Sequence, residues 1–194
     1  MKNTNHSLFD KYEMIKDLGT GSSGSVTLVR HISMDQERAL KKVPKASAFA
    51  ESALSEARLL KSLEHPSIPR IFDFEEDNAF YYIVEEYIDG ETLDSFLLHQ
   101  QLISPGLFFN ICEQLCNVFI YLHTQISTPI IYRDLKPEHI IVCHNKLKLI
   151  DFGVSAYVIQ DGNNFNHYGN IEFSAPECFI EDTITPAADI YSLG

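Results

Sequence analysis

Two short segments of the sequence combine residue types that handle phosphate groups and protons. The first reads YRDLKPEH over residues 132–139 and carries Asp134 two positions before Lys136. An aspartate there can accept or orient the proton of an attacking hydroxyl, and the lysine can steady a migrating phosphoryl group. The second reads DFG from Asp151, at the end of a predicted strand. Its carboxylate suits a hard divalent cation that bridges phosphates.

A glycine-rich segment indicates a further contact with phosphate. Residues 19–26 read GTGSSGSV, and they lie between predicted strands at 12–18 and 25–32. Glycines let backbone N–H groups approach phosphates without interference from a Cβ atom. By itself the pattern is equally typical of a flexible hairpin turn. A dinucleotide-binding fold needs a helix directly after the glycines, and the strand that follows does not favour that fold.

An acidic residue on an apolar helix face predicts a buried ion pair. The spacing of apolar residues predicts a helix over 47–63, with Glu56 on its apolar face. Because a buried carboxylate is costly without a cation, a lysine of the strand predicted at 38–43 is the expected partner. Strand alternation places Lys41 and Lys42 on opposite faces, and we predict that Lys41 forms the pair.

The remaining elements divide the chain into a β-rich first part and a mainly helical second part. Ser104 followed by Pro105 predicts the start of a long helix that ends near residue 124. Asp89-Gly90 predicts a turn or hinge between the parts. The other predicted elements are strands at 72–76 and 80–86, a helix at 92–99, and a hairpin of 140–142 with 146–150.

The composition is typical of a folded protein and disfavours polyanionic partners. Hydrophobic residues make up 45% and charged residues 22% of the 194 residues, and the formal net charge is -12. We therefore expect no direct nucleic-acid partner and no attraction to anionic membranes. No apolar run in the sequence is long enough to span a bilayer. Because the four cysteines form no CxxC pair, we expect a reducing, cytoplasmic location.

Taken in order, these motifs resemble the eukaryotic-type protein kinase family over nearly the whole chain. The series runs from the glycine segment through Lys41, Glu56, the RDLKPE loop and DFG to APE at 175–177 and DIYSLG at 189–194. The DLKPE motif resembles that of serine/threonine kinases rather than tyrosine kinases, and residues 83–90 resemble bacterial members of the family. The resemblance implies an α+β, two-lobed fold with a tail at 1–11, an N-terminal lobe at 12–88 and a C-terminal lobe at 89–194.

The resemblance also implies a role for each motif residue, with ATP and Mg²⁺ or Mn²⁺ as cofactors. Lys41 and Glu56 form the phosphate-anchoring pair, Asp134 and Lys136 are catalytic, and Asp151 with His139 binds the metal. Arg133, Glu177 and Asp189 are structural. The remaining residues implied to bind ATP are Gly19, Gly21, Gly24, Val26, Ala39, Glu86, Ile88 and Ile141.

The sequence departs from the family at several positions. His139 stands where the family has asparagine, and an imidazole nitrogen is a softer ligand, better matched to Mn²⁺ or Zn²⁺ than to Mg²⁺. Tyr132 replaces histidine, and we expect its ring to pack against Phe152. Asn170 replaces the threonine before APE. We also expect an incomplete C-terminal lobe, because residues 189–194 resemble the start of a long central helix.

The leading hypothesis is an ATP-dependent kinase that phosphorylates serine or threonine hydroxyls of a protein. The alternative is a pseudokinase-like module that binds nucleotide without turnover, which His139, Asn170 and the incomplete lobe favour. A kinase for small molecules is a third hypothesis, and Lys136 argues against it. The sequence indicates neither the protein substrate nor the oligomeric state.

Overall fold

The computed structural model describes most of the chain and divides it into two compact units. The first unit comprises Met1–Leu63 and Pro69–Tyr87, and the second comprises Glu64–Ile68 and Ile88–Gly194. The short segment at 64–68 thus belongs to the second unit although it interrupts the first in sequence. The residues that the structure describes are 7–21, 24–99, 103–158, 170–180 and 184–194.

The first unit is built on a five-stranded antiparallel sheet. The strands are β1 (Tyr12–Gly21), β2 (Gly24–His31), β3 (Gln36–Pro44), β4 (Ile71–Glu76) and β5 (Phe80–Glu86). They occur in the order β1-β2-β3-β5-β4. The inner strand β5 has three consecutive buried residues, whereas the edge strand β1 is exposed over nine of its ten residues.

Each face of this sheet packs against a helical segment. Helix α2 (Ala50–Lys61) covers one face, where Ala53 and Ala57 pack on Val43 and Ile83. Because side chains alternate along a strand, Lys41 points to the same face as Val43. The other face carries a second apolar cluster, formed by Leu8, Tyr12, Val29, Leu40, Tyr82 and Val84.

A short helix precedes the sheet in the region that the sequence predicted to be a tail. Helix α1 (Leu8–Lys11) is one turn long, and Leu8 is fully buried beneath the sheet. The Lys11 ammonium lies 2.7 Å from an Asp73 carboxylate oxygen, and this hydrogen bond raises the pKa of Lys11. A single turn has no recognisable period, so this element was not predicted. Residues 1–6 of the predicted tail lie outside the described residues.

The second unit combines four helices with two small sheets in the part of the chain that the structure describes. The elements are β6 (Glu91–Thr92), α3 (Leu93–His99), α4 (Pro105–Ile120), β7 (Ile130–Ile131), β8 (Ile140–Cys143), β9 (Lys146–Leu149), β10 (Ala156–Tyr157), α5 (Glu177–Ile180) and α6 (Ala187–Leu193). Strands β6, β8 and β9 form one antiparallel sheet in that order, and β7 pairs with β10.

Helix α4 starts as the sequence predicted and ends differently. The Ser104 hydroxyl accepts a hydrogen bond from the Leu107 N–H, and Pro105 occupies the first turn. The predicted regular helix stops at Ile120, because residues Tyr121–Gln125 form a π-helical turn. Such turns insert one extra residue and re-aim the side chains that follow, and they recur at functional sites.

Within the described ranges, no helix combines the length and apolar character needed to cross a membrane. The four cysteines are all present as free thiols. Cys178 on α5 is 1% exposed, and its burial raises the pKa of the thiol. That cysteine therefore packs as a small apolar residue.

Candidate active site

The glycine segment forms the turn between β1 and β2. Gly21 pairs with Gly24 across this hairpin, and residues 22–23 at its tip lie outside the described residues. Gly24 has φ of +142°, and a Cβ atom there would lie 2.1 Å from the Lys42 carbonyl oxygen. Only glycine fits this position, so the close approach of β2 to β3 requires it. At Gly21 the space that a Cβ atom would occupy is open.

The structure brings Lys41 and Glu56 together. The Lys41 Nζ atom lies 2.8 Å from a carboxylate oxygen of Glu56, and the two side chains are 19% and 9% exposed. Lys42 lies on the opposite face, where its Nζ atom is 4.0 Å from the centre of the Phe80 ring. The pair is sheltered enough to hold the Lys41 ammonium in one position, as a phosphate anchor requires.

The other residues that the resemblance assigns to ATP fall in both units. In the first unit, Val26 lies directly opposite Lys41, and Ala39 on the same face is 7% exposed. Glu86 ends β5, where its N–H donates to the Arg70 carbonyl at 2.9 Å. Ile88 and Ile141 belong to the second unit.

The loop between β7 and β8 carries the predicted catalytic pair. The Lys136 Nζ atom lies 2.9 Å from an Asp134 carboxylate oxygen, and both side chains are about one-fifth exposed, at 21% and 19%. The preceding Arg133 has φ of +77°, which is strained for a residue with a side chain. Strain of this kind persists only where the surroundings hold it, and it clusters at functional sites.

Asp189 of α6 holds this loop from beneath. Its two carboxylate oxygens accept hydrogen bonds from the N–H groups of Tyr132 and Arg133, each at 2.8 Å. The His123 Nε2 atom lies 2.8 Å from the same carboxylate. Asp189 is 1% exposed, so these contacts satisfy a carboxylate that is removed from water. They hold the backbone of the loop in its strained form.

Sequence reasoning did not single out His123. It lies in the π-helical turn after α4, and its ring stacks on Phe119 with the centroids 5.6 Å apart. A regular helix was predicted through this region, and the register shift that aims His123 at Asp189 is a tertiary effect. The sequence shows only a histidine next to Leu122, which continues the apolar period of the predicted helix.

Tyr132 and Phe152 meet as the sequence predicted. Tyr132 is fully buried, and its ring contacts Phe152 edge to face with the centroids 5.0 Å apart. The Tyr132 hydroxyl donates to the carbonyl of Ile150, the residue before Asp151. The loop and the DFG segment are therefore joined directly.

His139 lies between the two aspartates of the site. Its Nδ1 atom is 3.0 Å from the Asp134 carbonyl oxygen, and its Nε2 atom is 3.4 Å from an Asp151 carboxylate oxygen. His139 is 9% exposed. The Asp151 side chain is 54% exposed, and its backbone has φ of +61°. The imidazole thus links the loop at 132–139 to the DFG segment.

Glu177 and Asn170 lie in the segment around APE. Glu177 is half-buried at the start of α5. The Asn170 side-chain oxygen accepts from the Glu172 N–H at 3.0 Å, and the Asn170 N–H donates to the Ser174 hydroxyl. Ser174 is 7% exposed, which disfavours it as a phosphorylation site in this conformation.

These donors fit a divalent cation that is shared with a phosphate group. An exposed carboxylate and a histidine nitrogen face one another at Asp151 and His139, and both are metal-ligand types. Among the described residues, no group of three or more histidine, cysteine or acidic side chains could hold a metal ion. A cation held by two protein groups keeps positions for phosphate oxygens and water, as magnesium sites usually do.

The first unit contains a lysine paired with a helix glutamate, and the second contains a loop that pairs Asp134 with Lys136. Phosphotransferases use residues of these types. A family model of the protein kinase domain matches residues 12–194. The chain therefore belongs to the protein kinase domain family. Members of this family use ATP and a divalent metal ion.

The curated relatives are serine/threonine and related protein kinases. The chain is 31% identical over 193 residues to the serine/threonine-protein kinase PrkC of Bacillus subtilis (strain 168), covering 95% of this chain and 29% of that protein. It is 34% identical over 185 residues to the serine/threonine-protein kinase ppk25 of Schizosaccharomyces pombe, covering 92% and 43%. It is 31% identical over 186 residues to mitogen-activated protein kinase kinase 2 of Arabidopsis thaliana, covering 94% and 51%. The chain thus spans about half or less of each relative's length.

Proposed function

We propose that this protein transfers the γ-phosphate of ATP to serine or threonine hydroxyls of a protein substrate. The observation that carries the proposal is the contact between Asp134 and Lys136 on a loop that Asp189 holds from beneath. The relatives support it, because those named above are protein kinases and two of them are named serine/threonine kinases. Their names favour the catalytic hypothesis over a module that only binds nucleotide.

In the proposed mechanism, the residues position the reactants and stabilise charge. The Asp134 carboxylate orients the substrate hydroxyl and accepts its proton as the oxygen attacks the γ-phosphorus. The bond between that phosphorus and the bridging oxygen breaks, and ADP leaves with the electron pair. Lys136 offsets negative charge on the migrating phosphoryl group. In the first unit, Lys41 is the proposed phosphate anchor and is held in place by Glu56.

Asp151 and His139 are the proposed ligands of the divalent ion, Mg²⁺ or Mn²⁺. When bound, the ion supplies positive charge to the phosphate oxygens. The Gly153 N–H donates to one Asp151 carboxylate oxygen at 3.3 Å, which orients the other oxygen towards His139. The four free thiols support a reducing compartment such as the cytoplasm as the proposed location.

Transfer of labelled γ-phosphate tests the proposal. The protein is incubated with labelled ATP and a generic basic protein, with Mg²⁺ and Mn²⁺ in separate reactions, and the labelled residues are identified by phosphoamino-acid analysis. We expect label on serine or threonine that disappears in Asp134→Asn. The proposal is wrong if a cooperatively melting, ATP-stabilised sample gives no label, or if Asp134→Asn labels as well as the wild type.

A further inference from the structure

The hydrogen bonds around His139 fix which ring nitrogen carries the proton. Nδ1 lies 3.0 Å from the Asp134 carbonyl oxygen and 3.4 Å from the Asp134 carboxylate, and both groups only accept hydrogen bonds. The Tyr132 hydroxyl is 3.4 Å away, but its hydrogen is donated to the Ile150 carbonyl. Nδ1 is therefore the donor, and in the tautomer that carries its hydrogen on Nδ1 the lone pair is on Nε2.

That lone pair faces a carboxylate. The Nε2 atom lies 3.4 Å from the Oδ2 atom of Asp151. The Nε2 lone pair and the carboxylate oxygen repel one another at this separation unless a proton or a metal ion lies between them. Two ligand atoms that are each about 2.1 Å from one ion lie about 3.0–3.4 Å apart at bond angles of about 90–110°. The observed separation is suited to a shared metal ion.

We infer that His139 Nε2 and Asp151 Oδ2 bind one divalent ion as a nitrogen–oxygen pair, and that this pair selects Mn²⁺ over Mg²⁺. The inference rests on the proposed function, which supplies the metal–nucleotide complex. Mg²⁺ prefers oxygen ligands, whereas an imidazole suits transition metals. The donation from Nδ1 to a backbone carbonyl is the contact by which metal-binding histidines are oriented.

The same ring ties the metal to the catalytic loop. Because Nδ1 donates to the Asp134 carbonyl, an ion on Nε2 fixes the ring and, through it, the backbone of Asp134. An asparagine at this position supplies an oxygen and shortens the side chain. His139 is thus a specificity-determining residue for the metal and a positioning residue for Asp134.

Pulsed electron paramagnetic resonance of bound Mn²⁺ tests the inference independently of turnover. The protein is labelled with ¹⁵N only in histidine and mixed with Mn²⁺ and a non-hydrolysable ATP analogue. Directly bonded imidazole nitrogen then gives a ¹⁵N modulation that nitrogen from the nucleotide cannot imitate. We expect this signal in the wild type and in His144→Asn, which makes the same change at an exposed histidine of the β8–β9 turn. We expect its loss in His139→Asn.

Competition with Mg²⁺ measures the selectivity. The Mg²⁺ concentration that displaces bound Mn²⁺ gives the preference of the site for Mn²⁺. We expect this preference to be about 10-fold lower in His139→Asn, which is the lower end of the loss in metal affinity seen when residues that orient the ligands are replaced. Circular dichroism melts establish that each variant is folded. The inference is overturned if the wild type shows no histidine modulation, or if the preference is unchanged in a folded His139→Asn protein.

The two proposals fail in different ways. If Mn²⁺ shows histidine modulation but no protein is phosphorylated, the metal site stands and the proposed function is wrong. If Asp134-dependent transfer is observed while the modulation is absent, the kinase stands and the nitrogen ligand is wrong.

Discussion

The ion pair between Lys41 and Glu56 contributes both to the stability of the fold and to the proposed phosphate transfer, and substitutions can separate the two effects. Lys41→Met leaves the 8%-exposed Glu56 without its cation at 2.8 Å, and breaking such a pair costs about 3 kcal/mol of unfolding free energy. The double variant Lys41→Met/Glu56→Leu replaces both charges by apolar groups. We expect it to recover most of that stability in urea denaturation while phosphate transfer stays lost.

Lys42→Met is the matched control for this prediction. Lys42 lies on the other face of β3, where its ammonium contacts the Phe80 ring at 4.0 Å. A cation–π contact at an accessible site is worth about 0.5–1 kcal/mol, so we expect a small loss of stability and retained transfer. Equal losses at the two lysines, or a double variant no more stable than Lys41→Met, would contradict the role assigned to the pair.

Single residues differ in how far the sequence determines their contacts. Strand alternation alone distinguishes Lys41 from Lys42, because the side-chain period of a strand is fixed by its backbone. The protonated nitrogen of His139 follows from three acceptors that only the folded loop brings together. The contact of His123 with Asp189 joins residues 66 positions apart, and no local pattern predicts it.

Substitution of single glycines in the hairpin of β1 and β2 tests whether this element requires them. We expect Gly24→Ala to lower the melting temperature and to weaken nucleotide binding, because its Cβ would lie 2.1 Å from the Lys42 carbonyl oxygen. Overpacking of this kind costs about 1–3 kcal/mol. Gly21→Ala, where the surrounding space is open, is the control and should change the melting temperature less. A similar shift in both variants would refute the steric argument.

The segment Glu64–Ile68 gives a prediction about pH. Burial, and secondarily the charge of Lys148, lowers the pKa of His65 below its ordinary value of 6.5. The ring Nδ1 accepts from the Ser67 N–H at 3.1 Å, which requires the neutral form. The unfolded chain therefore takes up a proton first as the pH falls. The stabilisation that neutral His65 contributes is complete above about pH 6.5. It is lost as the pH falls from that value towards the lower pKa of His65 in the folded protein.

Thermal melts of the wild type and His65→Gln, compared at about pH 7.5 and about pH 5.5, measure this effect. The difference between the two proteins cancels the other titrating groups. We expect the stability advantage of the wild type to shrink at the lower pH. An advantage that is constant or grows on acidification would show that the neutral ring is not what stabilises the segment.

The sequence predicted an element well where the periodic pattern extends over several residues or where a capping residue marks the end of the element. Strand β5 and the start of α4 at Pro105 agree with the pattern, because alternation and the Ser104 cap act locally. The π-helical turn Tyr121–Gln125 and helix α1 were not predicted. In the π-helical turn, the Tyr121 hydroxyl accepts a hydrogen bond from the Glu64 N–H. In helix α1, Leu8 packs into the apolar cluster on the sheet. Both depend on distant partners.

In the second unit, one carboxylate connects elements that are far apart in the chain. Asp189 on α6 contacts the π-helical turn through His123 and the loop at 132–139 through the N–H groups of Tyr132 and Arg133. Buried hydrogen bonds to a charged group contribute more than neutral ones. The geometry of the loop at 132–139 is therefore a property of the assembled unit, and the sequence indicated it only through the order of the motifs.

Asp189→Asn and Asp134→Asn should separate assembly of the unit from chemistry. In Asp189→Asn an amide NH₂ group replaces one acceptor that faces backbone donors, so we expect a loss of about 2–3 kcal/mol in unfolding free energy. Faster hydrogen exchange at the Tyr132 and Arg133 amides and reduced transfer should accompany it. Asp134 is 19% exposed on its side chain, and its replacement should abolish transfer while exchange at those amides stays slow. Unchanged exchange in Asp189→Asn would show that the strained loop is held by its own sequence rather than by α6.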